Sequence, residues 1–287
     1  MAPEASAGGV TVAARTAPPR VRTVPVRRPG LWISSAVVLV LFGWVAIAVA
    51  RNPNIQHSVI WQYQFAPAIL AGLRTTVILA LLAAVIGVVL GVLLAVMRLS
   101  DSRLLRGFSG FYIWIMRGTP LLVQILIWGN FALLFQHIGP FKTNDVLTPF
   151  VASLVALGLN EAAYMAEVVR GGILAVDRGQ FEASTALGMR RALALRRIVL
   201  PQAMRVIVPP AGNQFISLLK ATSLVSVIAG GDLLTAAENI SSANLHTIEL
   251  MLVATFWYLT LTSITGFGQY FLERRLARAT ASGHGNR

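Results

Sequence analysis

The sequence predicts an all-α, polytopic membrane protein with six transmembrane helices, and three observations indicate this class. Of its 287 residues, 56% are hydrophobic and only 12% are charged, whereas a soluble domain has roughly 25% charged residues. Apolar segments of about 20 residues, the length that crosses a bilayer core as a helix, recur along the chain. The basic residues are concentrated in alternate connections between these segments.

Six segments are candidate spans. The first two are almost wholly apolar, whereas the third, fourth and fifth also contain polar residues. Gly87 and Gly91 in the second segment fit the G-x-x-x-G pattern that lets two helices approach closely, although ordinary helix packing explains a single match more simply. The six segments are residues 31–50, 75–97, 118–135, 149–169, 206–230 and 249–271.

The lysines and arginines set the expected orientation. They cluster in the N-terminal tail, between spans two and three, between spans four and five, and in the C-terminal tail. With six spans, all four of these clusters lie on one side, and basic loops favour the cytoplasmic side. We therefore expect both termini in the cytoplasm. The exceptions to this pattern are Arg51, Arg74, Lys142 and Lys220.

The two ends of the chain are predicted to be tails. Residues 1–30 are rich in Ala, Pro and Arg without apolar periodicity, which predicts a disordered cytoplasmic segment. Residues 276–287 form the C-terminal tail. The span at 31–50 ends in Ala48-Val49-Ala50, which resembles a signal-peptide cleavage site. Its apolar run of about 20 residues exceeds the 7–15 of a signal peptide, so we expect a retained membrane anchor.

The residue types exclude several kinds of site. The chain has no cysteine, so it has no disulfide framework and no thiolate ligand or nucleophile. Its four histidines are isolated in the sequence, whereas a zinc site needs clustered ligands. A net charge of +13 would suggest a nucleic-acid partner in a soluble protein. Here basic loops facing membrane lipid account for it, and no nucleic-acid partner is expected.

A basic insert separates spans four and five. Residues 179–187 suit a short helix, and Gly188 can adopt the left-handed conformation that ends it. A second helical segment is predicted at 189–199, and Pro201 should separate it from span five because proline breaks a helix interior. On chemistry alone, the insert is either an interfacial element held by anionic lipid or a docking surface for a partner protein.

The spacing in this insert resembles the EAA loop of ABC importer permeases, whose pattern is E-A-A-x3-G-x9-I-x-L-P. The chain departs from it only at Ser184, where the family has a second alanine, and this exchanges one small residue for another. The matching residues are Glu182, Ala183, Gly188, Ile198, Leu200 and Pro201.

The similarity continues on both sides of the loop. The run Arg117-Gly118-Thr119-Pro120-Leu121 and the run Leu219-Lys220-Ala221-Thr222-Ser223-Leu224 resemble the permeases of the polar amino-acid uptake family. The resemblance implies a transmembrane domain at 69–275 with a cytoplasmic coupling loop at 171–205. The helix at 31–50 is then an addition to a five-helix ABC importer core.

The resemblance implies a permease subunit that carries amino acids, polar ones in particular, across the bacterial cytoplasmic membrane. Its implied partners are two ATPase subunits docked on the EAA loop, an extracytoplasmic solute-binding protein, and a second permease that is identical or different. The chain has no G-x-x-x-x-G-K-[ST] loop, so no phosphate cradle is encoded. ATP and Mg²⁺ would therefore bind the partner, and this chain is expected to be neither an enzyme nor a cofactor carrier.

Roles within the loop follow from the same resemblance. Glu182 would make a polar contact with the ATPase, and Gly188 would set the angle between two short helices. The exit into span five would be fixed by Ile198, Leu200 and Pro201.

Two polar seams at helical spacing are candidates for the substrate pathway. An ionisable side chain near the midplane costs about 2.5–3.5 kcal/mol, so it should face a cavity or a partner. Lys220 meets this condition if a helix begins at Pro210, because it then lies roughly 15 Å along that helix. The seams are Asn213, Ser217 and Lys220 on span five, and Asn160, Tyr164 and Glu167 on span four, with Thr119, Gln124 and Asn130 as weaker candidates on span three.

Each seam also has a purely structural explanation. Polar side chains in membrane helices often form interhelical hydrogen bonds, and Lys220 could pair with Glu161. Glu167 could pair with Arg170 on the next helical turn.

Two other functions stay open at this level. An ion channel or ion-coupled secondary transporter would need no ATPase, but would be expected to show inverted repeats, which the hydropathy lacks. A membrane scaffold would need no lysine at membrane depth. The sequence leaves open which amino acid is carried.

Overall fold

The structure, a computed structural model, describes the backbone of residues 29–281. The expected disorder of the N-terminal tail falls almost entirely on residues outside this range. The chain divides into two units, residues 1–53 and 54–287. In the first unit the structure describes one long helix, α1 (Pro29–Ala50), which coincides with the first expected span. Its large side chains between Val37 and Trp44 are exposed, as expected of a helix surrounded by lipid.

The second unit is a helical bundle with one two-residue hairpin, β1 (His137–Ile138) and β2 (Phe141–Lys142). Its shorter helical turns are of 3₁₀ type at Phe131–Leu133 and Thr222–Ile228 and of π type at Leu195–Val199. Its α-helices are α2 (His57–Gln64), α3 (Pro67–Arg98), α4 (Arg103–Gly118), α5 (Leu121–Gly129), α6 (Thr143–Val146), α7 (Pro149–Leu174), α8 (Arg178–Ala186), α9 (Arg191–Ala194), α10 (Leu200–Ala221), α11 (Leu233–Asn244) and α12 (Thr247–Ala281).

Three helices of this unit, α3, α7 and α12, are unbroken and long and apolar enough to cross a membrane. Two further spans are bent. Helices α4 and α5 meet at 98°, and the helix that starts at α9 meets α11 at 43°. With each bent pair as one span, the described residues contain five spans, all in the second unit, and α1 contributes a shorter apolar stretch at Ser34–Trp44. Helix α12 continues into the segment predicted as a C-terminal tail.

The third span differs from its prediction at 118–135. The helix expected there is only α5, and Thr119 and Pro120 adopt extended conformations between α4 and α5. Proline has no N–H and disfavours helix in the residue before it, which explains the break at this position. The span therefore begins earlier, with α4.

Helices α3 and α7 form the centre of the bundle and run in parallel. A Cβ built on Gly87 would lie 2.8 Å from Glu161 Cβ, and one built on Gly91 would lie 2.7 Å from Met165 Cβ. Each glycine therefore admits the facing helix at a distance that no larger residue allows. The G-x-x-x-G pattern thus serves helix packing, and the C-terminal ends of α3 and α7 lie at the same end of the bundle.

Pro201 does not separate the basic insert from span five as predicted. One continuous helix runs from α9 through the π turn into α10. The N–H of Leu200 bonds to the carbonyl of Leu195, five residues back, and this wider turn accommodates Pro201 in the first turn of α10. The helix start at Pro210, assumed when Lys220 was placed about 15 Å along the helix, is also wrong, because Pro209 and Pro210 lie inside α10.

Candidate functional site

The first candidate site is the helix–turn–helix that follows α7, here called the coupling element (α8, the turn at Gly188, and α9). Asp177 caps the start of α8, because its carboxylate accepts a hydrogen bond from the N–H of Gly179 at 2.6 Å. Gly188 ends α8 with a left-handed φ of 73°. The N–H groups of Gly188 and Met189 bond back to Thr185 and Ser184 at 2.9 and 3.0 Å. This is the Schellman arrangement of a helix end, so the predicted conformation of Gly188 is confirmed.

The predicted coupling residues divide into an exposed set and a buried set. Glu182 and Ala183 are exposed on α8, and Leu200 and Pro201 are exposed at the start of α10. Ser184 is buried, and its hydroxyl donates to the carbonyl of Phe181 at 2.6 Å. The hydroxyl that Ser184 has in place of the alanine of the EAA pattern therefore has its hydrogen-bond partner within α8. Ile198 is half-buried in the π turn.

A groove of about 890 Å³ separates the coupling element from the ends of α3 and α7. Apolar residues, including Leu99, Leu174 and Val199, line it beside charged ones such as Glu182 and Arg191. Arg191 also reaches Asp101 at 3.4 Å across the groove, but both side chains are largely exposed, and exposed pairs of this kind contribute little. The coupling element is therefore lightly held to the bundle on this side.

The span-four seam faces the bend between α4 and α5. Asn160 donates to the carbonyl of Met116 at 3.0 Å and to Gln124 Oε1 at 3.1 Å. The guanidinium of Arg117 lies 5.2 Å from the ring centre of Tyr164, a cation–π contact. Each of these seam residues thus has a partner on α4 or α5.

Glu167, the last residue of the span-four seam, pairs with Arg170. The closest distance between the two side chains is 2.6 Å, and both are partly exposed. The structural alternative predicted for Glu167 is confirmed.

The span-five seam is an exposed polar face of α10 (Asn213, Ser217 and Lys220), here called the α10 polar face. Lys220 lies in the last turn of α10, not in the middle of a helix that begins at Pro210. The predicted pair between Lys220 and Glu161 is absent from the described residues. Glu161 is 3% exposed and accepts a hydrogen bond from Gln214 at 3.0 Å instead.

Two glutamines, Gln124, which is buried, and Gln269, which is half-buried, are more important to the site than their sequence positions indicate. Gln124 was expected only as a weak pathway candidate, yet its amide also donates to the Met116 carbonyl at 2.9 Å and to Thr119 Oγ1 at 2.8 Å. Gln269 on α12 was not singled out. A glutamine within an apolar helix is the signal that could have identified both, because a buried amide needs partners. Among the described residues, no group of His, Asp or Glu side chains could hold a metal ion.

Comparison with known proteins identifies the family. The family described as "Binding-protein-dependent transport system inner membrane component" matches residues 87–278. The arginine transport system permease protein ArgU of Corynebacterium glutamicum is 42% identical over 274 residues, 93% of this chain and 87% of that protein. The L-cystine transport system permease protein TcyB of Bacillus subtilis is 38% identical over 221 residues, 77% of this chain and 91% of that protein.

A solved structure has the same fold. The crystal structure of an amino acid ABC transporter with histidines aligns with a TM-score of 0.69 at 36% identity, over 77% of this chain and 100% of that one. The family match covers more than half of the chain. The chain therefore belongs to the binding-protein-dependent transport system inner membrane components, and is a polytopic permease of the ABC importer class.

Proposed function

We propose that this chain is the permease subunit of an ATP-driven importer of amino acids in the bacterial cytoplasmic membrane. The observation that carries the proposal is the coupling element, a helix–turn–helix with the EAA spacing, in a chain of the importer permease family. An ion channel or secondary transporter would have no use for a docking element of this kind.

ATP hydrolysis is proposed to take place on two separate ATPase subunits that bind the coupling element. The exposure of Glu182 and Ala183 supports this contact. The Schellman turn at Gly188 supports a role in setting the angle between α8 and α9. Leu200 and Pro201 would join the same surface at the start of α10, with Ile198 and Ser184 holding it from beneath. ATP and Mg²⁺ would bind the ATPase subunits.

The orientation is proposed from the basic residues. The coupling element lies at the end of the bundle where α3 and α7 end, and the arginines of the insert lie there too. Basic loops favour the cytoplasmic side, so this end and both termini are assigned to the cytoplasm. A solute-binding protein would then deliver the substrate at the opposite end.

The α10 polar face is proposed to line the substrate pathway. A lysine and an asparagine exposed on a membrane helix are costly against lipid, so a second permease, identical or different, would cover this face and enclose the pathway. The span-four seam would contribute less directly. Its residues hold the bend between α4 and α5, which borders the same bundle interior.

The test is ATPase stimulation of the complex, reconstituted in liposomes with its ATPase subunits and binding protein, against a panel of amino acids. L-Arginine belongs first in this panel, because the 42% identical relative is named as an arginine permease. We expect one polar amino acid or a small group to stimulate ATP hydrolysis and to accumulate in the liposomes. Uptake that persists without the ATPase subunits would overturn the proposal in favour of an ion-coupled transporter.

A further inference from the structure

Two consecutive prolines divide α10 into two segments. Pro209 and Pro210 have no N–H, so the carbonyls of Arg205 and Val206 lose the donors that a regular helix would supply four residues later. The segment before the prolines continues through the π turn into the coupling element. The segment after them carries the α10 polar face. The two proposed functional surfaces of this protein therefore lie on either side of a weakened point in one helix.

Gln269 of α12 contacts this point directly. Its Nε2 donates to the carbonyl of Pro209 at 3.2 Å and to Glu273 Oε1 at 2.7 Å. Because both partners are acceptors, the amide nitrogen must face them. A Cβ built on Gly212 would lie 2.8 Å from Gln269 Cδ, so the glycine leaves the space that this amide occupies.

We propose that Gln269 is a positioning residue for transport, whose amide sets the bend that Pro209 and Pro210 favour within α10. Through this bend, movement of the coupling element reaches the α10 polar face. The inference rests on the proposed function.

Two observations support a bend that changes during transport. The Oε1 of Gln269 is buried and has no hydrogen-bond partner in the described part of the chain. An unsatisfied buried acceptor destabilises the arrangement that contains it, so a different bend that gives this oxygen a partner is favoured by comparison. The groove of about 890 Å³ beside the coupling element leaves room for that element to move.

The test measures the ratio of substrate-stimulated to basal ATPase activity in the complete complex of permease, ATPase and binding protein. Gln269→Leu removes the amide and keeps a side chain of similar size. We expect the ratio to fall by about fivefold or more, the lower end of typical coupling between two sites. Gly212→Ala should produce a similar fall, because its methyl group displaces the same amide from the α10 side.

A double-mutant cycle separates positioning from simple packing. Pro210→Ala restores one helix donor and should straighten α10, so Gln269 would then have no bend to set. In this background Gln269→Leu should cause no further fall in the ratio, whereas independent packing effects would add. Thr265→Val on α12 is the matched control, because within the described part of the chain its hydroxyl bonds only to Leu261 of its own helix.

The outcomes distinguish this inference from the proposed function. A wild-type complex that no amino acid stimulates contradicts the proposed function itself. A stimulated wild type with an unchanged ratio in both Gln269→Leu and Gly212→Ala overturns only the role of Gln269, as does additivity with Pro210→Ala.

Discussion

The amide of Asn160 donates a hydrogen bond to the side-chain oxygen of Gln124 at 3.1 Å, and both residues are buried. Both amides also bind the carbonyl of Met116 in the last turn of α4, near the point where the chain turns by 98° into α5. The carbonyls at the end of a helix have no partners within it. The two amides therefore satisfy the backbone at this bend and join it to α7.

The first prediction concerns this network. Asn160→Leu removes two hydrogen bonds and leaves Gln124 Oε1 without its donor, which should lower the free energy of unfolding by about 1–3 kcal/mol. Adding Gln124→Leu should cost less than the sum of the two single changes, because the pair then loses both partners together. Thermal unfolding of the detergent-solubilised chain measures both effects.

A matched control for this network is Asn130→Leu. The amide of Asn130 is exposed and, among the residues that the structure describes, donates only to Leu126 of the adjacent helix α5, so we expect a change within about 0.5 kcal/mol. Strict additivity of the Asn160 and Gln124 changes would contradict a shared network.

The second prediction concerns the contact of α3 with α7. Gly87→Val places side-chain atoms where Glu161 already lies, and overpacking of this kind typically costs about 1–3 kcal/mol. The same thermal unfolding assay should show the loss. Gly268→Val on α12 is the control, since no described residue lies within 4 Å of a Cβ at that position. Equal melting temperatures for the two variants would contradict the close approach of α3 and α7.

Features that depend on local chemistry could be predicted from the sequence. The long apolar spans are visible as composition, and Gly188 could be recognised because the end of a helix before a second helix requires a left-handed residue. The spacing of the loop, together with the runs on either side of it, indicated the family, and the family match over residues 87–278 confirms it.

Features that depend on contacts between distant segments could not be predicted from the sequence. Hydrophobic periodicity does not reveal the π turn that accommodates Pro201. Pro201 was therefore predicted to break the helix, but it lies within the continuous helix that runs from α9 into α10. The span-four seam looked like an open face because its partners are distant in the chain, and those of Asn160 on α4 and α5 are 44 and 36 residues away. Opposite charge alone made Glu161 a candidate partner for Lys220, whereas the fold places Glu161 against Gln214.

The third prediction tests the turn of the coupling element. Gly188→Val forces a β-branched residue into the left-handed region, at a cost of about 1–2 kcal/mol. No atom of residues 29–281 lies within 4 Å of a Cβ there, so we attribute the effect to the backbone. Gly188→Asn should be milder, because Asn adopts this conformation more readily. We expect the amount of ATPase that co-purifies with the permease to be highest with Gly at position 188, lower with Asn and lowest with Val.

For this series, Gly107→Val is the control, since it changes an exposed helical glycine with open space around it. ATPase binding that is equal for the wild type and for both substitutions of Gly188 would show that the turn angle does not matter for docking.

The fourth prediction concerns Glu182. Reversing its charge by Glu182→Arg should abolish uptake and reduce ATPase co-purification, while the permease still inserts and remains folded because Glu182 is exposed on α8. Gln180→Arg introduces the same charge two residues earlier on the same exposed helix and should have a smaller effect. Unaltered co-purification and uptake with Glu182→Arg would refute the coupling role.

The last prediction concerns Lys220. It lies in the last turn of α10 and is exposed, and it forms no salt bridge among the described residues. A charged side chain in this position needs a partner or a water-filled cavity. If the α10 polar face lines the pathway, Lys220→Ala should alter which amino acids stimulate the ATPase, or abolish stimulation, without lowering the melting temperature. Lys220→Arg keeps the charge and should retain stimulation in part. Wild-type stimulation by every amino acid in the Lys220→Ala complex would place the lysine outside the pathway.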